Sequence, residues 1–398
     1  MKASETSERY AGKVRECCNY AVRSSKNLVK QTDSGHRQAG GEGETELRNA
    51  LKSDLSVFCD EVTENPFTFH PKSERKTDIM AFIFMTLSSV LAILAYFYDA
   101  MLILGALVSS LFAAISFFGI FSKTGKGAKN LNLYAKLLPA GGTKHRVILQ
   151  ANTDAPYKRK TSPKTAAKLK VFTWVGIIVY LAFDTVLLLV ESGNLNFNGQ
   201  DEIKLAAFPL ALFIICPAWL SRSINMNASS PGVIDNLIGC YTACGVLRYM
   251  NEMDLRLNNT ELCVLLTSGT YSGNAGAKKF LEVYPAEQGI DTTIFCLDSL
   301  YELDCFNAQA KGRKLNRTLV QAADNAGVLL TDNEPKYHRN ETAVFEKSGM
   351  DTVSVTTLPD NPPHFYRSDQ DTTDYLKVPP VEAAMKFVLE SSYLIDSQ

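Results

Sequence analysis

Histidine is scarce in this chain of 398 residues: His36, His70, His145, His338 and His364 are all there are, with no close pair and no His-Glu-x-x-His. The most compact signature of a zinc hydrolase is therefore missing, and each histidine taken alone is read as a surface or satisfied residue. Cysteine is present (Cys17, Cys18, Cys59, Cys216, Cys240, Cys244, Cys263, Cys296, Cys305), but no Cys-x-x-Cys occurs. Cys240 and Cys244 stand one helical turn apart without a second pair, which excludes a four-thiolate zinc site. Free thiols in a reducing compartment are expected, and the shared face of Cys240 and Cys244 points to packing rather than to a nucleophile. Net charge is also lacking, at −1, so the electrostatic footprint of a nucleic-acid binder is absent. SGTYSGNAGAK (Ser268 to Lys278) has glycines but not the Gly-Lys-Ser/Thr ending of a phosphate loop. The opening MKASETSERYAGKVRE is polar and charged, so no cleavable leader is expected.

What the chain does have is four apolar runs. Ile79 to Tyr98 and Ala100 to Ser122 are separated only by Asp99, and Leu169 to Val190 and Leu205 to Ser221 are joined by the polar ESGNLNFNGQDEIK. Each approaches the roughly 20 residues needed to cross the hydrocarbon core, so two transmembrane hairpins of four helices are expected. Arg75, Lys76, Lys123, Lys126, Lys129, Lys158, Arg159, Lys160, Lys164, Lys168, Lys170 and Arg222 flank the outer ends. Asp99, Glu191, Asp201, Glu202 and a single Lys204 lie at the other side. By the positive-inside rule both termini and the polar sequence are cytoplasmic, which makes the lipid bilayer the first partner. Asp184 lies inside the third run, where an ionised carboxylate is costly. It reads either as an ion-linked group or, with preference, as a carboxyl hydrogen-bonded to Tyr180 or a neighbouring helix. Pro209 and Pro217 are expected to kink the fourth run.

The remaining sequence alternates helix and strand periodicity. Helices are expected over Gly12 to Thr32, Thr45 to Phe58, Leu237 to Met250, Gly276 to Tyr284, Asn316 to Ala326 and Ala343 to Ser348. Strands are expected over Lys144 to Ala151, Glu261 to Thr267, Thr292 to Leu297 and Thr352 to Thr356, with EVTENPFTFHP extended. This predicts an α/β fold with a mainly parallel sheet and helices on both faces. Active groups in such sheets gather at the carboxyl ends of the strands, which is where Asn152, Asp154, Gly269 to Gly273 and Asp298 fall.

In order along the chain, these ends read ANTDA (151–155), SPGVIDNLIG (230–239), SGTYSGNAGAKKF (268–280), CLDSL (296–300) and YRSDQDTTDYL (366–376), preceded by GHRQAGGEGETELRNAL (35–51). This order resembles the co-catalytic zinc exopeptidases of family M-28, which include leucyl aminopeptidases and, as relatives, glutaminyl cyclases. The resemblance implies a peptidase-like domain over 1–77, 123–168 and 223–398, with hairpins inserted at 78–122 and 169–222. It also implies roles. Asn152 stands at the first histidine ligand, Asp235 at the bridging aspartate, Thr270 at the general-base glutamate and Tyr271 at the adjacent ligand glutamate. Asp298 stands at the terminal aspartate and Arg367 at the last histidine, and Asp154 retains the residue that orients the lost histidine. Threonine cannot take a proton from water at neutral pH, and Arg367 brings a permanent charge to a cation position.

Several outcomes follow from this degenerate set. An internal ion network of Arg367 with Asp154, Asp235 and Asp298 is favoured. Arg367 and Tyr271 holding a peptide terminus or small carboxylate is the second reading. A weak Mg or Ca site on Asn152, Asp235 and Asp298 is the third. No cofactor is expected, and zinc only if the carry-over is wrong. His364, three residues from Arg367, is read like the others as a surface residue, though it is the one histidine close enough in sequence to reach the same place. The favoured function is a membrane-anchored, cytosol-facing pseudopeptidase that binds a peptide or protein partner. The alternatives are an active metallo-aminopeptidase-like hydrolase with an altered site, and a transport accessory subunit.

Overall fold

The computed structural model describes residues 11–31, 36–71, 73–120, 126–195, 200–310, 313–331, 335, 337–338 and 340–398. The chain divides into two compact units. The first comprises Met1–Phe69, Ala128–Lys158 and Asn227–Gln398; the second comprises His70–Gly127 and Arg159–Met226.

Unit 1 is built on a seven-stranded sheet: β1 (Glu61–Phe69), β2 (Ala128–Leu137), β3 (His145–Asn152), β4 (Thr260–Thr267), β5 (Asp291–Leu297), β6 (Asn307–Ala310) and β7 (Asp351–Thr356). Across the sheet the order is β1-β2-β4-β3-β5-β7-β6. The central pairs β4–β3, β3–β5 and β5–β7 are parallel. The outer pairs β1–β2, β2–β4 and β7–β6 are antiparallel. The expected parallel sheet is thus confined to the centre, and the whole sheet is mixed.

The two faces explain the near-continuous apolar runs of the central strands. Val147 and Leu149 of β3 and Leu262, Val264 and Leu266 of β4 enter the larger core. Helices α1 (Ala11–Gln31), α2 (Glu42–Phe58), α3 (Ile238–Glu252), α5 (Arg313–Ala326) and α7 (Val378–Asp396) supply apolar side chains to that same core. Ile148, Cys263, Leu265, Ile294 and Cys296 enter the opposite one with Phe280 of α4 (Ala275–Val283) and Phe345 of α6 (Thr342–Glu346). The strand β6 and the long helix α7, which starts on prolines in its first turn, were not expected from periodicity.

Unit 2 is helical. Three of its helical stretches are long and apolar enough to cross a membrane: Arg75–Phe97, Lys164–Glu191 and Ile203–Ser223. This corrects the expectation of four. The remaining apolar helix runs only over Leu102–Phe117, about 24 Å at 1.5 Å per residue, short of the roughly 30 Å core. The Asp99 to Met101 turn delays its start, and Gly119 ends it in the left-handed conformation (φ +77°), a helix stop that glycine adopts without penalty. Residues 121–122 of the expected second run, and Lys123 beyond it, lie outside the described residues.

The last stretch tightens to a 3-10 turn at Ala211–Ile214, between Pro209 and Pro217. Asp184 is buried among the helices and one of its oxygens accepts a hydrogen bond from Ser88 Oγ at 2.9 Å, so its donor comes from a neighbouring helix and not from Tyr180. Tyr180 instead pairs with Ser89 and donates to the Leu210 carbonyl at 3.0 Å. Leu104, Leu111, Val171, Phe172, Leu212 and Trp219 are exposed, the outward apolar surface that lipid would cover.

Candidate functional site

The carboxyl ends of β3, β4 and β5 bring the sequence-predicted residues of unit 1 together. Asn152 closes β3 level with Thr267 of β4. Its amide donates to the Asp154 carbonyl at 2.8 Å and its oxygen receives the Asn236 amide at 3.3 Å. Asn236 also donates to the Leu297 carbonyl at 2.6 Å and accepts from the Ser299 N–H at 3.2 Å. One asparagine therefore ties the SPG turn to the ends of two strands. The turn itself is held by Arg37, wholly buried, whose guanidinium donates to the carbonyls of Thr153, Pro231 and Gly232. Below it Asp371 accepts the N–H groups of Ile234 (2.8 Å) and Asp235 (3.2 Å), and burial pushes its carboxyl up to about 7.

Asp235 is the hub. Tyr271 donates its hydroxyl to one oxygen at 2.7 Å and Arg367 donates Nε to the other at 2.8 Å. The guanidinium lies over the rings of Tyr271 (5.2 Å) and Tyr366 (5.0 Å), a cation–π arrangement. Burial raises the Asp235 carboxyl above the ordinary range while the Arg367 charge opposes it. Arg367 is in the left-handed backbone region at φ +57°, a conformation that costs a non-glycine residue about 1 kcal/mol.

Asp298 belongs to a second group. It accepts from Ser299 Oγ at 2.7 Å and lies 3.1 Å from His338 Nε2, both side chains being buried. Asp154 lies beside the Tyr271 N–H at 3.4 Å, and burial with the charges of Glu44 and Glu341 drives its carboxyl well up. Thr270 donates to Glu341 Oε1 at 3.1 Å, and Glu341 Oε2 receives Gln150 at 2.6 Å and the Thr267 hydroxyl. Burial pushes Glu341 up to about 7 despite these donors.

The raised Glu341 carboxyl has a signed consequence. Its proton is held more tightly folded than unfolded, so stability is fullest below about pH 4.5 and falls as pH rises towards 7. The shift corresponds to about 3 kcal/mol. Glu341→Gln is expected to flatten the fall in urea midpoint between pH 5 and 7.5; an unchanged slope would assign the pH dependence elsewhere.

The hydrogen bonds just described do not bring the four remnant groups into one network. Asp235, Tyr271 and Arg367 form one cluster, which Asp154 joins through the Tyr271 N–H, while Asp298 is bonded to Ser299 and His338 instead. His338, Glu341 and Asp371 were not singled out by sequence reasoning; each is a lone polar residue in a loop or at a helix edge, with no spacing to announce it. His364 does not join the cluster: it is exposed and its Nε2 meets the Tyr375 hydroxyl at 2.8 Å. Cys240 and Cys244 are fully buried, and burial pushes Cys240 up to about 12, the condition of an inert structural thiol. Among the described residues no three His, Cys, Asp or Glu side chains are grouped to hold a metal ion.

No protein-family model matches the chain. No curated protein matches it by sequence either. Solved structures do share its fold. A glutaminyl cyclase of Bacteroides thetaiotaomicron is similar at 13% identity and TM-score 0.54, covering 94% of this chain and 97% of its own. A Zn-dependent exopeptidase of Parabacteroides distasonis matches at 11% identity and TM-score 0.54, covering 94% and 97%. A zinc aminopeptidase of Bacillus subtilis matches at 10% identity and TM-score 0.56, covering 94% of each.

Proposed function

We propose that this chain is a membrane-anchored, cytosol-facing member of the zinc-exopeptidase-like fold in which two-zinc hydrolysis has been lost, and that it acts by binding a peptide or protein partner. The single observation that carries this reading is the occupation of Asp235. In the exopeptidases that the sequence resembles, the equivalent aspartate bridges two zinc ions. Here one of its oxygens holds a phenol and the other a guanidinium. Arginine is never neutral in a protein, so a second cation on that carboxylate would meet full repulsion. Asn152 supplies only an amide oxygen, already engaged by Asn236. The residues present do not fit a pair of zinc ions, and no step is derived through them. In this reading units 1 and 2 are the peptidase-like domain and its two membrane insertions. The flanking cations support a cytosolic side for unit 1 in this reading.

The test is metal content by elemental mass spectrometry on protein dialysed against metal-free buffer, together with aminoacyl reporter hydrolysis. Less than one transition metal per ten chains, and no cleavage with or without added zinc, cobalt or manganese, is the expected result. One or two tightly held ions per chain would overturn it. A second reading, a hydrolase with a displaced base, is favoured by one contact: the buried Glu341 carboxyl one hydrogen bond behind Thr270. On that reading reporter cleavage would be found, and Glu341→Gln would abolish it.

A further inference from the structure

Three helices of unit 2 bring oxygen-bearing side chains together in its interior. Ser88 of the Arg75–Phe97 helix, Ser110 of the Leu102–Phe117 helix and Asp184 of the Lys164–Glu191 helix are all wholly buried. The neighbouring turns of these helices are apolar: Met85, Ala113 and Ile177 join in one cluster, and Ala92 and Ala106 in another. Asp184 has no counter-charge in these surroundings. Among the described residues no Lys, Arg or His pairs with it, and Lys204 is held by Glu191.

The two oxygens of Asp184 differ. Oδ2 accepts the Ser88 hydroxyl at 2.9 Å, while Oδ1 has no hydrogen-bond partner. The Ser110 hydroxyl stands beside the same carboxyl but gives its one proton to the Leu107 carbonyl at 2.9 Å. Ser110 therefore turns a lone pair, not a hydrogen, towards Asp184. Acceptors that face each other in an apolar interior are costly unless a cation lies between them.

The chemistry of the donors selects that cation. All are oxygen, which suits a hard ion over a transition metal. Asp184 carries the single charge, so a monovalent ion leaves the site neutral, whereas a divalent one would leave a net charge buried. We infer that Asp184 Oδ1, Ser88 Oγ and Ser110 Oγ form a sodium-binding site inside unit 2. The bound ion supplies the missing counter-charge and ties three helices to one point. The site involves no residue of unit 1, so it stands whether or not that unit has kept hydrolysis.

The full chain in detergent micelles is treated with dicyclohexylcarbodiimide, which adds to a carboxyl that carries a proton and not to one that holds a metal ion. Labelling of the peptide containing Asp184 is read by mass spectrometry in sodium chloride and in choline chloride, at one pH and equal ionic strength so that screening is the same. Sodium is expected to slow labelling at least about tenfold, the factor reached at roughly ten times its dissociation constant. Ser88→Ala/Ser110→Ala is expected to label equally in both salts. Ser116→Ala, which removes a hydroxyl bonded to the Phe112 carbonyl of its own helix at 2.7 Å, is expected to keep the difference. Equal labelling of the unaltered chain in the two salts overturns the inference and leaves Asp184 as a protonated structural acid. If Asp184 labels in neither salt, thermal unfolding followed by the fluorescence of Trp174 and Trp219, both in unit 2, decides. A midpoint higher in sodium than in choline, with the difference lost in the double serine variant, supports the site; equal midpoints overturn it.

Discussion

Arg367→Leu is expected to destabilise unit 1 by about 3–5 kcal/mol, because it leaves Asp235 as a buried carboxylate without its counter-charge. Asp235 is fully buried, and after the change only the Tyr271 hydroxyl and the Asp235 backbone surroundings remain to solvate it. Asp235→Asn added to Arg367→Leu is expected to return most of the loss, since removing both charges of a buried pair is close to neutral. Tryptophan fluorescence cannot follow this, because Trp174 and Trp219 both belong to unit 2. The urea dependence of thiol labelling at the buried Cys240, Cys244 and Cys263 reads unit 1 directly. A single Arg367→Leu variant with an unshifted midpoint would show that the guanidinium is not what balances Asp235. A midpoint restored by added zinc would show that the metal position survives.

Gly239→Ala carries the second large effect. A Cβ at Gly239 would lie 2.3 Å from Asn236 Oδ1 and 2.7 Å from the Leu297 carbonyl oxygen. Neither can yield: the Asn236 side chain is fastened to Leu297 and Ser299, and Leu297 is the last residue of β5. Overpacking against fixed polar atoms of this kind is expected to cost about 3 kcal/mol. It should also loosen the loop that carries Asp298. Gly142→Ala is the matched control, with nothing within 4 Å of its added Cβ, and is expected to change stability by no more than about 0.5 kcal/mol. Equal midpoints for the two variants in the thiol-labelling assay would remove Asn236 from its stapling role.

The helices other than α7 and the central strands were legible from their patterns: β3, β4 and β5 are apolar on both faces, and α2 repeats Leu47, Leu51 and Leu55 at four-residue steps. The strand ends then pointed to Asn152, Asp154, Gly269 to Gly273 and Asp298, and the family resemblance singled out Thr270 and Tyr271 within that stretch. The antiparallel flanks were not legible. β6 is only four residues long, so nothing local announces it, and β1 was expected as an extended segment but its pairing with β2, from across the first apolar excursion, was not. Apolar composition gave four spans where three reach spanning length, because hydropathy does not register a glycine stop such as Gly119. Within the site, the Arg367–Asp235 contact followed from placing the motifs in order, while the His338–Asp298 pair and the Glu341–Thr270 contact did not. Those two depend on where a loop returns in space, which single polar residues do not encode.

The division of unit 1 into three stretches of chain has a consequence for its synthesis. β1 is complete at Phe69, its partner β2 begins at Ala128, and β3 must wait for β4 at Thr260 and β5 at Asp291. The sheet cannot close until β7 ends at Thr356. At ordinary translation rates that interval is roughly 15–60 s, during which an unpaired strand edge waits while the two helical segments of unit 2 are made. Such a nascent chain is expected to depend on chaperones until β7 has been made, which depletion of chaperones during its synthesis would test.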